Sequence, residues 1–167
     1  MDVNEEIVVK WLNLCKNQFT ISNIQFKTIG PKGGSNYSDI DILAADSDGN
    51  YYDYEIKWRS VYSIGATDKE TVEAYVHQMR RTERVKKIRE VIGNKPVKKI
   101  FVTTRNHFGK KEEKRKLIES RFTKNNISVI YFEEIIKELV EKISVTGRYD
   151  SNILQTIRIL KYFDLVK

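Results

Sequence analysis

The sequence predicts an α/β protein with a central mixed sheet flanked by helices. Two strand-like segments lie on either side of Asp48-Gly49, a pattern typical of an antiparallel hairpin because glycine adopts the positive φ that such turns require. Strand-like and helix-like segments then alternate over residues 97–143, which favours parallel strands covered by helices. The chain has 167 residues, the length of one domain, and we expect a single domain over 1–167.

Each element follows from its own residue pattern. Ile7, Val8, Trp11 and Leu12 recur at helical spacing and predict an opening helix over 3–18. The later elements are a strand over 21–29, the hairpin over 38–59, a long helix from about 67 to 93, a strand over 97–104, a helix over 110–121, a strand over 127–132 and helices over 133–143 and 151–162. The expected order is therefore α-β-β-β-α-β-α-β-α-α.

Composition excludes several classes of protein. Cys15 is the only cysteine, so no intramolecular disulfide forms, and no Cys/His cluster has zinc spacing. The sequence has neither an apolar run of membrane-spanning length nor the apolar core of a signal peptide. We therefore expect a cytoplasmic protein without membrane contact.

Positive charge is concentrated in one part of the chain. From Val76 to Lys116 there are 15 Lys or Arg residues and 4 Asp or Glu residues, whereas residues 1–75 hold 7 and 12. Such a basic segment suits a polyanion such as a nucleic acid. It is equally common on the solvated face of a soluble helix.

The hairpin carries many acidic side chains. Successive side chains of a strand point to opposite faces, so Asp39 and Asp41 share a face of the first strand, and Asp53, Glu55 and Lys57 share a face of the second. Carboxylates a few ångströms apart raise each other's pKa, and a divalent cation relieves this repulsion. Because Mg²⁺ prefers oxygen ligands, Asp41 and Glu55 are candidate metal ligands, and Lys57 is a candidate for orienting water or balancing transition-state charge.

The spacing of these residues resembles a known nuclease motif. Asp41, followed after a hairpin-length gap by Glu55-Ile56-Lys57, resembles the PD-(D/E)XK signature of the restriction-endonuclease-like superfamily, and the stretch is similar to archaeal Holliday-junction resolvases. The proline of the signature is absent, and Ser38-Asp39-Ile40 stands in its place. Either Asp39 or Asp41 is the equivalent acid. Asp41 is favoured because it follows the isoleucine that aligns with the strand core.

The resemblance implies a fold and a mechanism. The expected element order matches the αβββαβ core of the restriction-endonuclease-like fold over about 3–132, with 133–167 as a C-terminal helical extension. The implied activity is hydrolysis of DNA phosphodiester bonds by an Mg²⁺-dependent endonuclease in which Mn²⁺ substitutes for Mg²⁺. Asp41 and Glu55 would bind the metal through their side chains, the carbonyl of Ile56 would add a ligand, and Lys57 would assist the water.

Further residues follow from the same resemblance and from the charge pattern. Related nucleases often carry an acid on the first helix and a glutamine near the site, which points to Glu5 and Gln78. The alternative for Glu5 is an acid favoured by the dipole at the N-terminus of a helix. The second-rank site residues are Glu5, Asp39, Asp53 and Gln78. The residues expected to contact DNA are Arg59, Arg80, Arg81, Arg84 and Lys87.

Two other functions are compatible with these residues. One is a non-catalytic nucleic-acid-binding module of the same fold that acts with a partner protein. The other is a basic α/β protein whose acidic face is structural, although Lys57 and Arg59 alone are too few to balance the carboxylates. Because the stretch is similar to resolvases and restriction enzymes, a homodimer is one of the expected assemblies.

Overall fold

The computed structural model describes residues 2–29, 34–59 and 68–166. The fold is α/β, with a five-stranded mixed open sheet flanked by helices, as the sequence predicts. The elements in chain order are α1 (Val3–Cys15), β1 (Phe19–Ile29), β2 (Ser35–Ala45), β3 (Tyr51–Lys57), α2 (Asp68–Arg80), α3 (Thr82–Ile92), β4 (Val97–Thr103), α4 (Arg105–Phe108), α5 (Glu112–Thr123), β5 (Ile127–Tyr131), α6 (Phe132–Lys142) and α7 (Asn152–Tyr162).

The strands lie in sequence order, β1-β2-β3-β4-β5. The pairs β1-β2 and β2-β3 are antiparallel, whereas β3-β4 and β4-β5 are parallel. The predicted hairpin is confirmed: Gly49 has a φ of 80°, and the carboxylate of Asp46 accepts the amide hydrogens of Asp48 at 3.0 Å and Asn50 at 2.9 Å. Because β3, β4 and β5 are parallel, their carboxyl ends meet at one edge of the sheet.

The two faces of the sheet are covered by different helices. Helices α1, α6 and α7 pack on one face through an apolar cluster that includes Leu12, Ile42, Ile56, Leu139 and Leu154. Helices α2 and α5 pack on the other face through a second cluster that includes Val72, Met79, Phe101 and Phe122. A third, smaller cluster joins α3 to β1 and β2. The hairpin strands are therefore sandwiched between helices.

The side-chain alternation of β2 is interrupted at Asp41. Ile40 and Leu43 pack in the same small cluster, whereas Ile42 packs on the side of α1. In an uninterrupted strand, residues three apart would point to opposite faces. On the neighbouring strand, Asn23 lies between the residues that pair with Ile40 and Ile42, and it has a φ of 56°. The backbone therefore departs from regular sheet geometry beside Asp41.

Two elements differ from the prediction. The long helix expected over 67–93 is two helices, because Arg81 has extended backbone angles (φ −52°, ψ 136°) between α2 and α3. The expected start at Thr67 lies outside the described residues. Helix α4 is a short additional turn after β4. No helix within 2–29, 34–59 or 68–166 has the length and apolar character needed to cross a membrane.

Candidate functional site

The structure brings the three predicted catalytic side chains together. The Nζ atom of Lys57 lies 2.6 Å from Oε1 of Glu55 and 3.7 Å from Oδ2 of Asp41. Asp41 is 5% exposed and Glu55 is fully buried, whereas Lys57 is partly exposed. The side chain of Lys57 thus forms the link between two buried carboxylates and the surface.

The backbone of β3 holds Asp41 in place. Pairing between β2 and β3 ends at Ile42 and Tyr54, and beyond that point Oδ2 of Asp41 accepts the amide hydrogen of Ile56 at 2.6 Å. The carboxylate therefore satisfies a strand donor where the ladder ends. The resemblance to nucleases assigns the Ile56 carbonyl to the metal, whereas the contact between Ile56 and Asp41 uses the Ile56 amide group.

Burial and charge shift the pKa values of this cluster. Burial, with a further contribution from the negative charge of Glu55, raises the pKa of Asp41 to about 7, although Lys57 and the Ile56 amide act against the shift. Burial lowers the pKa of Lys57, but Glu55 and Asp41 together outweigh it, so the net shift is upward. Lys57 is therefore a cation near neutral pH, and additional positive charge beside Asp41 would be favourable.

Arg84 is part of this cluster and not of the protein surface. Its fully buried guanidinium donates to Oε2 of Glu55 at 2.6 Å, and to Oδ1 and Oδ2 of Asp53 at 2.6 and 3.2 Å. The sequence predicted that Arg84 contacts DNA, and this buried position corrects that prediction. The physical reason is the break at Arg81, which sets the rotation of α3 independently of α2 and places Arg84 with Ile88 on the buried side.

Lys99 completes the charge balance of the buried acids. Its Nζ atom lies 3.1 Å from Oδ2 of Asp53 and also donates to the carbonyl of Met79. Lys99 is the neighbour of Asp53 in the parallel register of β3 and β4. Asp53 is thus held by Arg84 and Lys99. The three carboxylates Asp41, Asp53 and Glu55 are thus matched by three cations, Lys57, Arg84 and Lys99. The sequence had identified only Lys57 among these three cations.

The second-rank residues divide into two groups. Gln78 joins the site, because its Nε2 donates to Oε1 of Glu55 at 2.7 Å, and Asp53 joins it through Arg84. Asp39 is exposed, so Asp41 is the acid beside Glu55. Glu5 lies on α1, which packs on the face opposite α2. Its Oε2 is buried without a hydrogen-bond partner, and no contact within the described part of the chain joins it to the site.

Four of the five residues expected to contact DNA are at least partly accessible. Arg59 and Arg80 are exposed, and Arg81 and Lys87 are partly exposed. Arg80 donates to the side chain of Asn125 at 3.2 Å, and Lys87 pairs with Glu90 at 3.3 Å. An exposed hydrogen bond to a neutral amide and a surface ion pair are both weak, so these cations are available to a polyanion.

The oxygen donors suit Mg²⁺ held by few protein ligands. In Asp41, Oδ2 is bonded to Ile56, whereas Oδ1 receives no hydrogen bond from any described residue. In Glu55, Oε1 meets Gln78 and Lys57 and Oε2 meets Arg84. Mg²⁺ is commonly bound by one or two carboxylates, with water and substrate phosphate as the remaining ligands. Oδ1 of Asp41 is open to such a metal, whereas a metal at Glu55 would have to displace Lys57 or Gln78 from Oε1. Over 2–29, 34–59 and 68–166, no three or more His, Cys, Asp or Glu side chains are grouped as a metal site.

Sequence reasoning missed the buried roles of Arg84 and Lys99. One signal was present for Arg84, since it precedes Ile88 by four residues and so shares the apolar stripe of α3. No corresponding signal identified Lys99, whose position depends on parallel strand register.

Comparison with known proteins adds no assignment. Neither a scan against protein-family models nor a search of the curated proteins found a match to this chain. The arrangement of Asp41, Glu55 and Lys57 is therefore the basis for inferring a function.

Proposed function

We propose that the protein is an Mg²⁺-dependent endonuclease that hydrolyses phosphodiester bonds of DNA, with a restriction-endonuclease-like fold. The observation that carries the proposal is the convergence of Asp41, Glu55 and Lys57, with Lys57 2.6 Å from one carboxylate and 3.7 Å from the other. An opening helix, three antiparallel strands and a parallel fourth strand support the fold assignment.

Each side chain has a distinct role in this proposal. Asp41 and Glu55 would hold Mg²⁺, which supplies Lewis-acid polarisation and activation of water. Lys57, charged near neutral pH, orients the attacking water and stabilises negative charge as it develops on the phosphate. Gln78 and Arg84 fix the carboxylate of Glu55 from two sides. Rigid support of this kind is what a catalytic carboxylate requires.

A second candidate is a non-catalytic nucleic-acid-binding module that acts with a partner protein. The observation that favours it is the pairing of Asp53 and Glu55 with Arg84 and Lys99, because an acid cluster balanced by protein cations does not depend on a metal. This candidate predicts DNA binding without cleavage.

One cleavage panel separates the two candidates. The purified protein is incubated with plasmid, linear duplex, single strand and a four-way junction, each with and without Mg²⁺ or Mn²⁺. We expect metal-dependent cleavage of at least one substrate and its loss in Glu55→Gln, which preserves side-chain shape. The matched control is Glu141→Gln, an exposed glutamate on α6 that does not line the site. If the wild type cuts nothing with either metal but binds DNA as tightly as Glu55→Gln, the endonuclease proposal fails and the binding module replaces it.

A further inference from the structure

A pocket lies at the edge where the three parallel strands end. Trp58 follows β3, Thr104 follows β4 and Phe132 follows β5, and all three line a cavity of about 400 Å³. This volume lies within the range of small-molecule sites. In open sheets with parallel strands, ligands bind outside the carboxyl ends of those strands. The pocket therefore lies at the carboxyl edge of the parallel strands.

The pocket presents an indole ring in a fixed orientation. Trp58 is 43% exposed, and its ring meets the buried ring of Phe132 edge-on, with centroids 5.0 Å apart and planes at 77°. The second tryptophan of the chain, Trp11, is only 3% exposed. The buried ring of Phe132 holds the indole of Trp58 in place. The exposed part of the indole therefore provides a stacking surface at little entropic cost.

The pocket is rigidly connected to the acid cluster. Trp58 directly follows Lys57 in the chain, and the carbonyl of Lys57 accepts a hydrogen bond from Oγ1 of Thr103 at 2.7 Å. The hydroxyl of Thr104 donates to the carbonyl of Arg59. Because Thr103 and Thr104 anchor the backbone on both sides of Trp58, the indole has a fixed position relative to the backbone of Lys57.

The lining groups identify the chemical class of the ligand. The indole of Trp58 offers a π surface, and Arg59 also lines the pocket, with its guanidinium Nη1 donating to the Trp58 carbonyl at 3.1 Å. Glu133 also lines the pocket; its Oε1 accepts the amide hydrogen of Arg105 at 3.0 Å, so Oε2 is its remaining acceptor. A planar ring with polar edges and an adjacent anionic group matches this combination, and a nucleotide has these features.

We propose that this pocket binds an unstacked nucleobase of the DNA strand whose phosphate is cleaved at the acid cluster. The inference rests on the proposed endonuclease function and specifies its substrate class, DNA with unpaired bases at the site of cleavage. A base in a continuous duplex is stacked on both sides and does not reach the indole. Single strands and branched structures with unpaired nucleotides supply such a base.

Binding without metal tests the proposal independently of cleavage. Affinity for a single-stranded oligonucleotide and for the matched duplex is measured in the presence of a chelator. Trp58→Ala should weaken single-strand binding by about 5- to 100-fold, as expected when one base no longer stacks on the protein. Trp58→Phe should retain most of the affinity. The matched control, Tyr162→Ala, removes an exposed aromatic ring from α7 and should have no effect.

Tryptophan fluorescence supplies a direct readout, because Trp58 is the exposed one of the two tryptophans. The single strand should quench the emission of the wild type but not that of Trp58→Phe, and an abasic strand of equal length should quench it weakly. Quenching by the abasic strand equal to that by the normal strand would overturn the proposal, as would equal losses on duplex and single strand in Trp58→Ala.

The outcomes also separate this inference from the endonuclease proposal. If Trp58→Ala cuts single strands with wild-type rate and affinity, the base-binding pocket is refuted and the nuclease stands. If the wild type cuts nothing but base-dependent quenching is observed, the nuclease is refuted and the binding pocket stands.

Discussion

Arg84 donates a 2.6 Å hydrogen bond to Glu55 while both side chains are fully buried. This bond occupies Oε2 of Glu55 and leaves Oε1 to meet Lys57 and Gln78. The same guanidinium binds Asp53 through two nitrogens. Arg84 therefore both neutralises the buried acids and fixes which oxygen of Glu55 points toward Lys57.

Removing Arg84 should destabilise the protein strongly. In Arg84→Met, Asp53 and Glu55 lose a buried cation, and breaking a buried ion pair in this way costs about 3–5 kcal/mol. Urea denaturation measures the free energy of unfolding. The control is Arg80→Met, because Arg80 is exposed and its change should stay within about 0.5 kcal/mol. Equal, small losses in the two variants would contradict the role assigned to Arg84.

The buried position of Arg84 differs from the surface position that the sequence predicted. In one continuous helix, Arg80, Arg84 and Lys87 would share a face, since residues four and seven apart are neighbours on a helix. The extended conformation of Arg81 separates the two helices, so Arg84 turns inward while Arg80 stays exposed. No proline or glycine marks this break in the sequence.

The hairpin, in contrast, could be predicted because its signals are local. The Asp48-Gly49 turn and the apolar strand residues define both strands and bring Asp41 and Glu55 together. The contact between Asp53 and Lys99 could not be predicted, because it depends on the register of parallel strands that are distant in the chain. Local periodicity holds no information about that register.

Ionisation of the Asp41 carboxyl should lower the free energy of unfolding as the pH rises. Its pKa is about 7 in the folded protein, above the ordinary value of 3.8, so the folded state binds more protons than the unfolded state between these values. Stability from this group is therefore fully present below about pH 4 and is lost as pH rises through about 7. Asp41→Asn mimics the protonated acid and should be more stable than the wild type at pH 8 but similar to it at pH 4.

Unfolding free energies across this pH range measure the effect of Asp41. The exposed Asp39 provides the control, since Asp39→Asn should follow the wild-type pH dependence. A constant difference between Asp41→Asn and the wild type from pH 4 to pH 8 would show that Asp41 is not the group responsible.

Mg²⁺ should stabilise the folded protein through Asp41. A ligand that binds only the folded state adds about 1.4 kcal/mol when its concentration is ten times its Kd. Because protons compete for Asp41, the stabilisation should be larger at pH 8 than at pH 6. Thermal unfolding with and without Mg²⁺ measures it. Asp41→Asn should lose the response and Asp39→Asn should keep it. The reverse pattern would identify Asp39 as the ligand.

DNA binding should depend on the exposed cations of α2 and α3. Replacing Arg80, Arg81 and Lys87 together by alanine should weaken binding to all sequences alike. The slope of log K against log salt should become shallower by about 0.9 for each phosphate that the variant no longer neutralises. Fluorescence anisotropy over a range of salt concentrations provides the measurement.

A second triple variant serves as the control for nonspecific loss of charge. Lys137, Lys142 and Arg148 are exposed cations outside the basic segment, and replacing them by alanine changes the net charge by the same amount. This variant should keep the wild-type slope. Identical slopes for the two triple variants would remove α2 and α3 from the DNA-binding surface.

Lys57→Ala should slow DNA cleavage while leaving DNA affinity nearly unchanged. The variant keeps Asp41 and Glu55 but removes the cation 2.6 Å from Glu55, so cleavage should fall by roughly 10² or more, as for loss of one preorganised charge-stabilising group. DNA affinity should change little, because only about a quarter of the Lys57 side chain is exposed (26%). Single-turnover cleavage and anisotropy report the two quantities, and Lys137→Ala is the matched control on an exposed helix face. A parallel loss of binding and cleavage in Lys57→Ala would place Lys57 among the phosphate contacts and remove its catalytic role.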